Sequence, residues 1–509
     1  MAQAISEHDA RNRWPITISI MLATVMNSLD TTIANVALPH MQGSVSASPE
    51  QITWVLTSYI VAAAVMTPLS GWLADRIGRK RMFLISIALF TAASMLCGIA
   101  TSLPEIVLFR LLQGVGGAAL IPLSQAVLLD INPPEKHGQA MAIWGAGAIL
   151  GPILGPALGG YFTEHWSWRW CFYINLPVGI LAFLGVFLFI SGDRVRSAKR
   201  FDFLGFGMLT LFIAAFQMVL DRGPSQDWFH SKEIWIETIL AVIGLWIFVV
   251  HTLTTPHPFF DRALIRDRNF VTASVFGFFI GILLFSTMAL LPPMMQTLLG
   301  YPVLTSGLVS MPRGIGSFLA MFIVGRLIGR VDTRLILFTG LALSCIALKQ
   351  MMDFDLSMNV RPFITSGIIQ GLGIGLLFVP LSTLAFATIP AQLRPEGSAV
   401  YTLIRNLGSS VGISIMNALV VANAQKMHAS LASNVDPSSP VLRADIPGML
   451  ASIPGLEQLN NEITRQATMV AYVDDFRLMF VITLACMPML LLMKKPQRAG
   501  GDLLHAAAE

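Results

Sequence analysis

Asp30 and Arg110 each lie inside an apolar run, Asp30 within 15–37 and Arg110 within 105–129. At 1.5 Å per helical residue, Asp30 is roughly 22 Å from Pro15, or about 8 Å below the far surface of a ~30 Å hydrocarbon core. Arg110, counted inward from Pro104, is about 9 Å below that same surface. An isolated charge inside a membrane helix costs about 2.5 kcal/mol or more, so both side chains should face the protein interior, and pairing them removes much of that cost. A carboxylate whose basic neighbour approaches or withdraws with conformation can couple proton binding to an inward/outward switch. A permanent bridge joining the two helices is the other reading of the same pair.

These residues need helices that cross a bilayer. Of the 509 residues 54% are hydrophobic and 12% charged, against about 25% charged in soluble domains, and the mean hydropathy is +0.68. Apolar windows of spanning length occur at 15–37, 52–74, 82–101, 105–129, 139–161, 170–190, 203–221, 234–254, 270–292, 304–325, 335–351, 362–386, 398–422 and 476–493. The expectation is an all-α polytopic membrane protein of about fourteen helices. The first run is too long for a signal-peptide core and is read as a retained span. With the N-terminus in the cytoplasm, about 21 of the 33 Lys and Arg fall on the cytoplasmic side and about seven outside, which predicts N-in, C-in. The cytoplasmic clusters are Arg76–Arg81, Arg194–Arg200, Arg262–Arg268 and the tail Lys494, Lys495 and Arg498.

A repeat sets the organisation. GWLADRIGRKR at 71–81 matches GRLIGRVDTRL at 325–335, and QGVGGAALIPLS at 113–124 matches QGLGIGLLFVPLS at 370–382 with one residue inserted. Each equivalent element comes eight spans later, so two six-span units flank two extra spans. The expected division is a cytoplasmic segment 1–14, an N-terminal six-helix bundle 15–190, two inserted helices with linkers 191–269, a C-terminal six-helix bundle 270–493 and a cytoplasmic tail 494–509. Three residues before Gln370 stands Gly367, so Arg110 has no counterpart in the second unit. The long outer loop, 423–475, opens on Asp436-Pro437-Ser438-Ser439-Pro440. It continues through Leu456, Leu459, Ile463 and Val470 at helical spacing, either as a solvated connector or as a docking surface.

Three further groups of residues bear on mechanism. Gly147, Gly151, Gly155 and Gly159 recur every fourth residue with Pro152 and Pro156 beside them, a stripe that lets another backbone approach closely. The expectation is a gasket or hinge between two rocking halves. Gly71, Asp75, Arg76, Gly78 and Arg79 hold more information than a topology anchor needs, and Asp75 can cap a helix or bridge to an Arg as a conformational latch. Asn27, Gln113, Gln217, Gln296, Arg313, Gln370, Arg405 and Asn406 are polar points for a substrate pathway, Arg313 and Arg405 being the costly ones. The 26 Met and 31 Phe could line an adaptable apolar cavity, although most such residues meet lipid or packing partners.

Other chemistries find little support. The chain has no Gly-x-x-x-x-Gly-Lys-Ser/Thr loop, and GVGGAA at 114–119 and GSSVG at 408–412 lie inside apolar spans without the strand-turn-helix context those motifs require. No metal-spaced cluster is present among nine scattered His and four Cys (Cys97, Cys171, Cys345 and Cys486, all in apolar runs). The basic residues sit in short clusters, which disfavours nucleic acid as a partner. No cofactor and no enzymatic activity are expected, and a proton gradient is the expected energy source.

LDTTIANVALP at 29–39, GWLADRIGRKR at 71–81, RLLQGVGGA at 110–118, GAILGPILGPALGG at 147–160, WRWCFYINLPVG at 168–179 and LDRGPSQDWF at 220–229 closely resemble motifs of the major facilitator superfamily, specifically its fourteen-span drug:proton antiporters of the EmrB type. The resemblance runs over nearly the whole chain. It implies two six-helix bundles around a central cavity, alternating access and proton-driven export of hydrophobic or amphiphilic compounds across a bacterial inner membrane. Asp30 falls on the family's first-span acidic motif, Arg110 on its proton-coupling Arg, Gly151-Pro152 on its antiporter motif, and Asp75, Arg76 and Arg79 on its interbundle loop. In the second copy of that loop Gly329 replaces Asp75. The resemblance also implies a periplasmic adaptor and an outer-membrane channel as partners. A dedicated exporter of an endogenous metabolite such as a siderophore, and a channel or passive uniporter, are the rival readings.

Overall fold

In a computed structural model the protein is described over residues 12–47, 49–52, 54–133, 136–191, 201–223, 226–328, 330–390, 393–435 and 453–492. These residues are helical and irregular, with one isolated bridge between Ile328 and Val331. Helix α1 is Arg13–Ser44, α2 Trp54–Ile77, α3 Arg79–Ile99, α4 Leu103–Gly117, α5 Leu120–Ile131, α6 His137–His165 and α7 Asn175–Phe189. The inserted pair is α8, Phe203–Arg222, and α9, Lys232–Thr254. The second bundle comprises α10 Arg268–Thr297, α11 Val303–Leu327, α12 Thr333–Met351, α13 Arg361–Ala387, α14 Arg394–Ser433 and α15 Ile453–Cys486. Among the described residues, thirteen helical segments are long and apolar enough to cross a membrane.

Three elements differ from the reading of the sequence. The run 105–129 is two helices. Pro122 has no N–H to give to the Ala118 carbonyl, which lies within reach of Thr67 Oγ1 at 3.4 Å, while Gly117 O accepts from Asn27 Nδ2 at 2.9 Å. The connector expected at 423–475 is largely helix: α14 continues to Ser433 and α15 begins at Ile453. Forty residues at 1.5 Å make α14 about 60 Å long, roughly twice the hydrocarbon thickness. The two helices pack on each other, and His428 Nε2 and Asn460 Oδ1 stand 3.0 Å apart. The apolar run 476–493, expected as the last span, is accordingly not a separate segment but the second half of α15 with a 3-10 turn, Met487–Leu492. Asp474, Asp475 and Arg477 at its start keep it outside the thirteen apolar segments. The expectations resting on Arg194–Arg200, Gly329, Asp436–Pro440 and the tail lie outside the described residues.

The end of the molecule that carries Arg76–Arg81 is called here the basic end. There one apolar core is shared by both bundles, running from Ile16, Phe83, Leu123 and Trp144 to Met321, Phe378, Leu381 and Tyr401. At the opposite end the core divides. Ile33, Met41, Cys97 and Phe172 form one cluster within the N-terminal bundle, and Leu290, Met294, Phe363 and Phe476 another within the C-terminal bundle. The bundles are therefore joined at the basic end and have separate interiors at the other, with α6 and α11 in contact along their length. Helix α8 packs on α2 and α14, across the seam between bundles, and α9 packs outside it.

Candidate functional site

Asp30 sits on α1, wholly buried, with Arg110 of α4 buried beside it. Arg110 Nη1 donates to Asp30 Oδ2 at 2.6 Å and to Gln113 Oε1 at 2.8 Å. Asp30 Oδ1 accepts from Gln113 Nε2 at 2.8 Å and from Asn175 Nδ2 at 3.0 Å. Arg110 Nε is held by the Val55 carbonyl at 3.0 Å, and its guanidinium carbon lies 4.3 Å from the centre of the Tyr59 ring. Four helices, α1, α2, α4 and α7, therefore meet on one ion pair. The carboxylate receives three hydrogen bonds in a dry setting, where each is strengthened by low dielectric and the pair is costly to break.

A second ring of polar side chains supports this centre. Asn175 Nδ2 also donates to Ser94 Oγ at 2.9 Å, and Ser94 Oγ donates to the Phe172 carbonyl at 2.9 Å, fixing α7 against α3. Tyr59 OH donates to Asn27 Oδ1 at 3.2 Å. Asn27 and Gln113 were read as points on a substrate pathway; the structure puts Gln113 in the ion-pair cluster and Asn27 on its brace. Asn175, Ser94 and Tyr59 were missed as site residues, although Asn175 stands in the quoted run WRWCFYINLPVG, where an amide among apolar residues is a signal. Asp30 is also not alone as an embedded carboxylate. Asp475 on α15 is 1% exposed, with Oδ2 unpartnered among the described residues.

The glycine stripe of α6 serves this centre directly. A Cβ at Gly151 would lie 2.5 Å from Leu29 N and Ser28 C, one at Gly159 would be 3.0 Å from Ile33 O, and Gly147 and Gly155 press on Met21 and Thr32. All four contacts are with α1, the helix that carries Asp30. The stripe is not a gasket between the halves, because the neighbour that needs the closest approach belongs to the same bundle. A different face of α6 meets the other bundle, with Ala142 against Gly325, Gly145 against Met321, Ile153 against Gly314 and Ala157 against Gly307. Pro152 and Pro156 are accommodated within an unbroken α6.

At the basic end Gly78 joins α2 to α3 with no intervening loop, at φ +91°, a backbone conformation natural only to glycine. Gly71 is buried and Asp75 half-buried on the last turns of α2. Arg76 lies 5.2 Å over the Trp72 ring, and Arg79 pairs with Asp130 of α5, a bridge within one bundle. A hydrogen bond crosses between bundles here, from Ser398 Oγ of α14 to Gln125 Oε1 of α5 at 2.6 Å.

The remaining pathway residues lie mostly in the C-terminal bundle. Gln296 Nε2 donates to Ser306 Oγ at 2.8 Å near the end opposite the basic one. Arg313 Nη2 donates to Thr287 Oγ1 at 2.6 Å and to Leu284 O at 3.1 Å, and Gln370 Nε2 is 3.4 Å from the same hydroxyl. Arg405 lies 5.2 Å over Phe378, which stacks on Trp144 of the other bundle. Asn406 is half-buried on α14, and Gln217 is buried on the inserted α8.

Two helical bundles joined at one end, with a buried, hydrogen-bonded acid–base pair in only one of them among the described residues, fit a membrane transporter. The sequence model of the Major Facilitator Superfamily matches residues 20–413, and the chain belongs to that family. It is 34% identical over 496 residues to the Multidrug export protein EmrB of Escherichia coli (strain K12), covering 96% of each chain. To the Fatty acid resistance protein FarB of Neisseria gonorrhoeae it is 33% identical, covering 96% of this chain and 97% of that one. The solved proton:xylose symporter XylE has the same fold at 13% identity, with a TM-score of 0.62 over 94% of this chain and 97% of that one. The protein is a multi-pass protein of the bacterial inner membrane.

Proposed function

We propose that the chain exports hydrophobic and amphiphilic compounds across the inner membrane by alternating access, in exchange for protons. The observation that carries this reading is the Asp30 centre: one carboxylate, sealed from solvent, held by amide donors from two other helices and by the buried Arg110. A proton arriving on Asp30 cancels the charge that holds Arg110, so the same event that binds H⁺ loosens the tie between α1 and α4. With the N- and C-termini and the basic end in the cytoplasm, and the second half of α15 counted as a fourteenth span, the divided core faces the periplasm. Protons then reach Asp30 from outside, and closure of that side carries them inward as the basic end opens to load cargo. The α2–α3 junction, Gly71–Arg81, acts as a latch for the closed basic end. No cofactor takes part, and the reaction is translocation without chemical change.

The names of the similar proteins support a broad cargo range that includes fatty acids. The helical extension formed by α14 and α15 is the surface we assign to a periplasmic adaptor leading to an outer-membrane channel. The test of the central reading is efflux from proteoliposomes with an imposed pH gradient. Wild type should accumulate a dye against its gradient, and Asp30→Asn should bind the dye but move it no faster than without a pH difference. Unaltered gradient-driven transport by Asp30→Asn removes Asp30 from the mechanism.

A further inference from the structure

Asp475 is an acid in an apolar position. On α15 it shares the buried face with Ala471, Tyr472, Phe476 and Met479, whereas Arg477 and Leu478 are exposed. Phe476 beside it packs on Phe354, the ring centres 6.0 Å apart. Asp475 is 1% exposed, and its Oδ2 meets no donor among the described residues. The charged neighbours on its own helix are Asp474, which is half-buried, and the exposed Arg477. Helices α10, α12 and α14 pack against α15. Beyond Arg268, α10 has no ionisable residue. Helix α12 has only Cys345 between Arg334 and Lys349, and Lys349 lies in solvent, paired with Asp353 at 3.5 Å. Counted from the His428–Asn460 contact, Asp475 stands level with Ile413 of α14, about 12 Å along the axis from Arg405 and about 20 Å from Lys426. No ionisable residue lies between those two.

A carboxylate buried without a partner is far costlier than the neutral acid, so the packed helix admits Asp475 in its protonated form. A single unpartnered oxygen in an apolar setting suits a proton and not a metal ion, which takes several oxygen ligands. Among the described residues no group of three His, Cys, Asp or Glu could supply them. We propose that Asp475 is a proton-binding switch at the foot of the α14–α15 extension: neutral, it seats α15 on α10, α12 and α14, and ionised, it unseats the outer half of that helix. Unseated, Asp475 meets water and is ionised above about pH 4. Seated, it keeps its proton to higher pH. Seating is therefore firmest in acid and weakens as pH rises, by up to about tenfold in the opening equilibrium per pH unit. Asp475 lies where α15 leaves the apolar run 476–493, so its proton comes from the side opposite the basic end. With the basic end in the cytoplasm, the extension is packed while the periplasm is acid and loosens when the proton gradient collapses. That consequence rests on the export reading; the seating itself does not.

Hydrogen–deuterium exchange of the full chain in neutral phosphatidylcholine nanodiscs, corrected for the intrinsic rate, reads the seating in peptides covering 456–474. Between about pH 5.5 and about pH 8.5, wild type should lose about tenfold or more of its protection there. Asp475→Asn, which stays neutral, should hold its protection within about twofold over the same range. Asp475→Val should do the same, and it decides the matter if the amide variant does not fold. Asp474→Asn should lose protection as wild type does. Constant protection in wild type, or the same loss in Asp475→Asn and Asp475→Val, overturns the switch, and so does a loss that Asp474→Asn abolishes. Gradient-driven dye transport by wild type and Asp30→Asn is measured on the same preparations in proteoliposomes. Absent transport removes the export reading and leaves the switch standing, whereas constant protection with intact transport removes the switch alone.

Discussion

At the scale of residues, the centre around Asp30 invites a test that separates holding from coupling. Arg110→Ala leaves a buried carboxylate with amide donors but no counter-charge, and breaking such a pair costs about 3–5 kcal/mol. The apparent Tm of the purified protein should fall sharply. Asp30→Asn with Arg110→Gln removes both charges while keeping hydrogen-bonding groups at both positions, so stability should return towards wild type and gradient-driven transport should not. If the double variant pumps, the pair is only a bridge. The contact between Asp30 and Arg110 was legible because depth along a helix is arithmetic and charges in hydrocarbon must find each other. Tyr59, Ser94 and Asn175 were not. Neutral polar residues are tolerated throughout membrane helices, and only the crossing of α2, α3 and α7 decides which of them converge. Asp475 escaped notice because it lies at the edge of its apolar run beside Asp474 and Arg477, where a charge looks solvated, whereas in the packed protein it is 1% exposed.

At the scale of elements, the glycine stripe of α6 positions the helix that carries the acid. Gly151→Leu would drive a side chain into the backbone of Ser28 and Leu29, where a Cβ alone already lies at 2.5 Å. The expected outcome is loss of transport through displacement of Asp30, together with a destabilisation of several kcal/mol from overpacking. Gly207→Ala on α8 is the matched control: a Cβ there meets nothing within 4 Å, so transport should be unchanged and the apparent Tm equal or slightly higher. A loss of function in the control would show that glycine replacement damages these helices without regard to contact. The four-residue spacing revealed the stripe, but a stripe says only that some backbone comes close. The identity of the neighbour is a property of helix order around the bundle, which no local pattern carries. The same limit explains the break between α4 and α5, where hydropathy continues through Pro122, and the helical run of α14 beyond the membrane, where polar composition reads as loop although the partner helix α15 stabilises it.

At the scale of the whole molecule, alternating access requires the shared core at the basic end to come apart while some contact persists as a pivot. The structure distinguishes the two kinds of contact. Ser398 on α14 meets Gln125 on α5 where the basic end is shut, and Gly307 on α11 meets Ala157 on α6, a pair in contact from end to end. The four native cysteines are buried and can be replaced by Ala. In that background a short thiol-specific cross-linker across Gln125→Cys and Ser398→Cys should bolt the basic end and reduce transport about tenfold or more, with recovery on adding a reductant. The same reagent across Ala157→Cys and Gly307→Cys should leave most transport intact, because rocking about a continuous helix pair changes its separation little at the pivot. A bolted basic end that still transports would mean that cargo does not pass through an opening there, and the joined core from Ile16 to Tyr401 would then be scaffold and not gate. If both cross-links abolish transport, the α6–α11 pair moves as much as the gate does, and the motion is better described as separation of the bundles than as rocking.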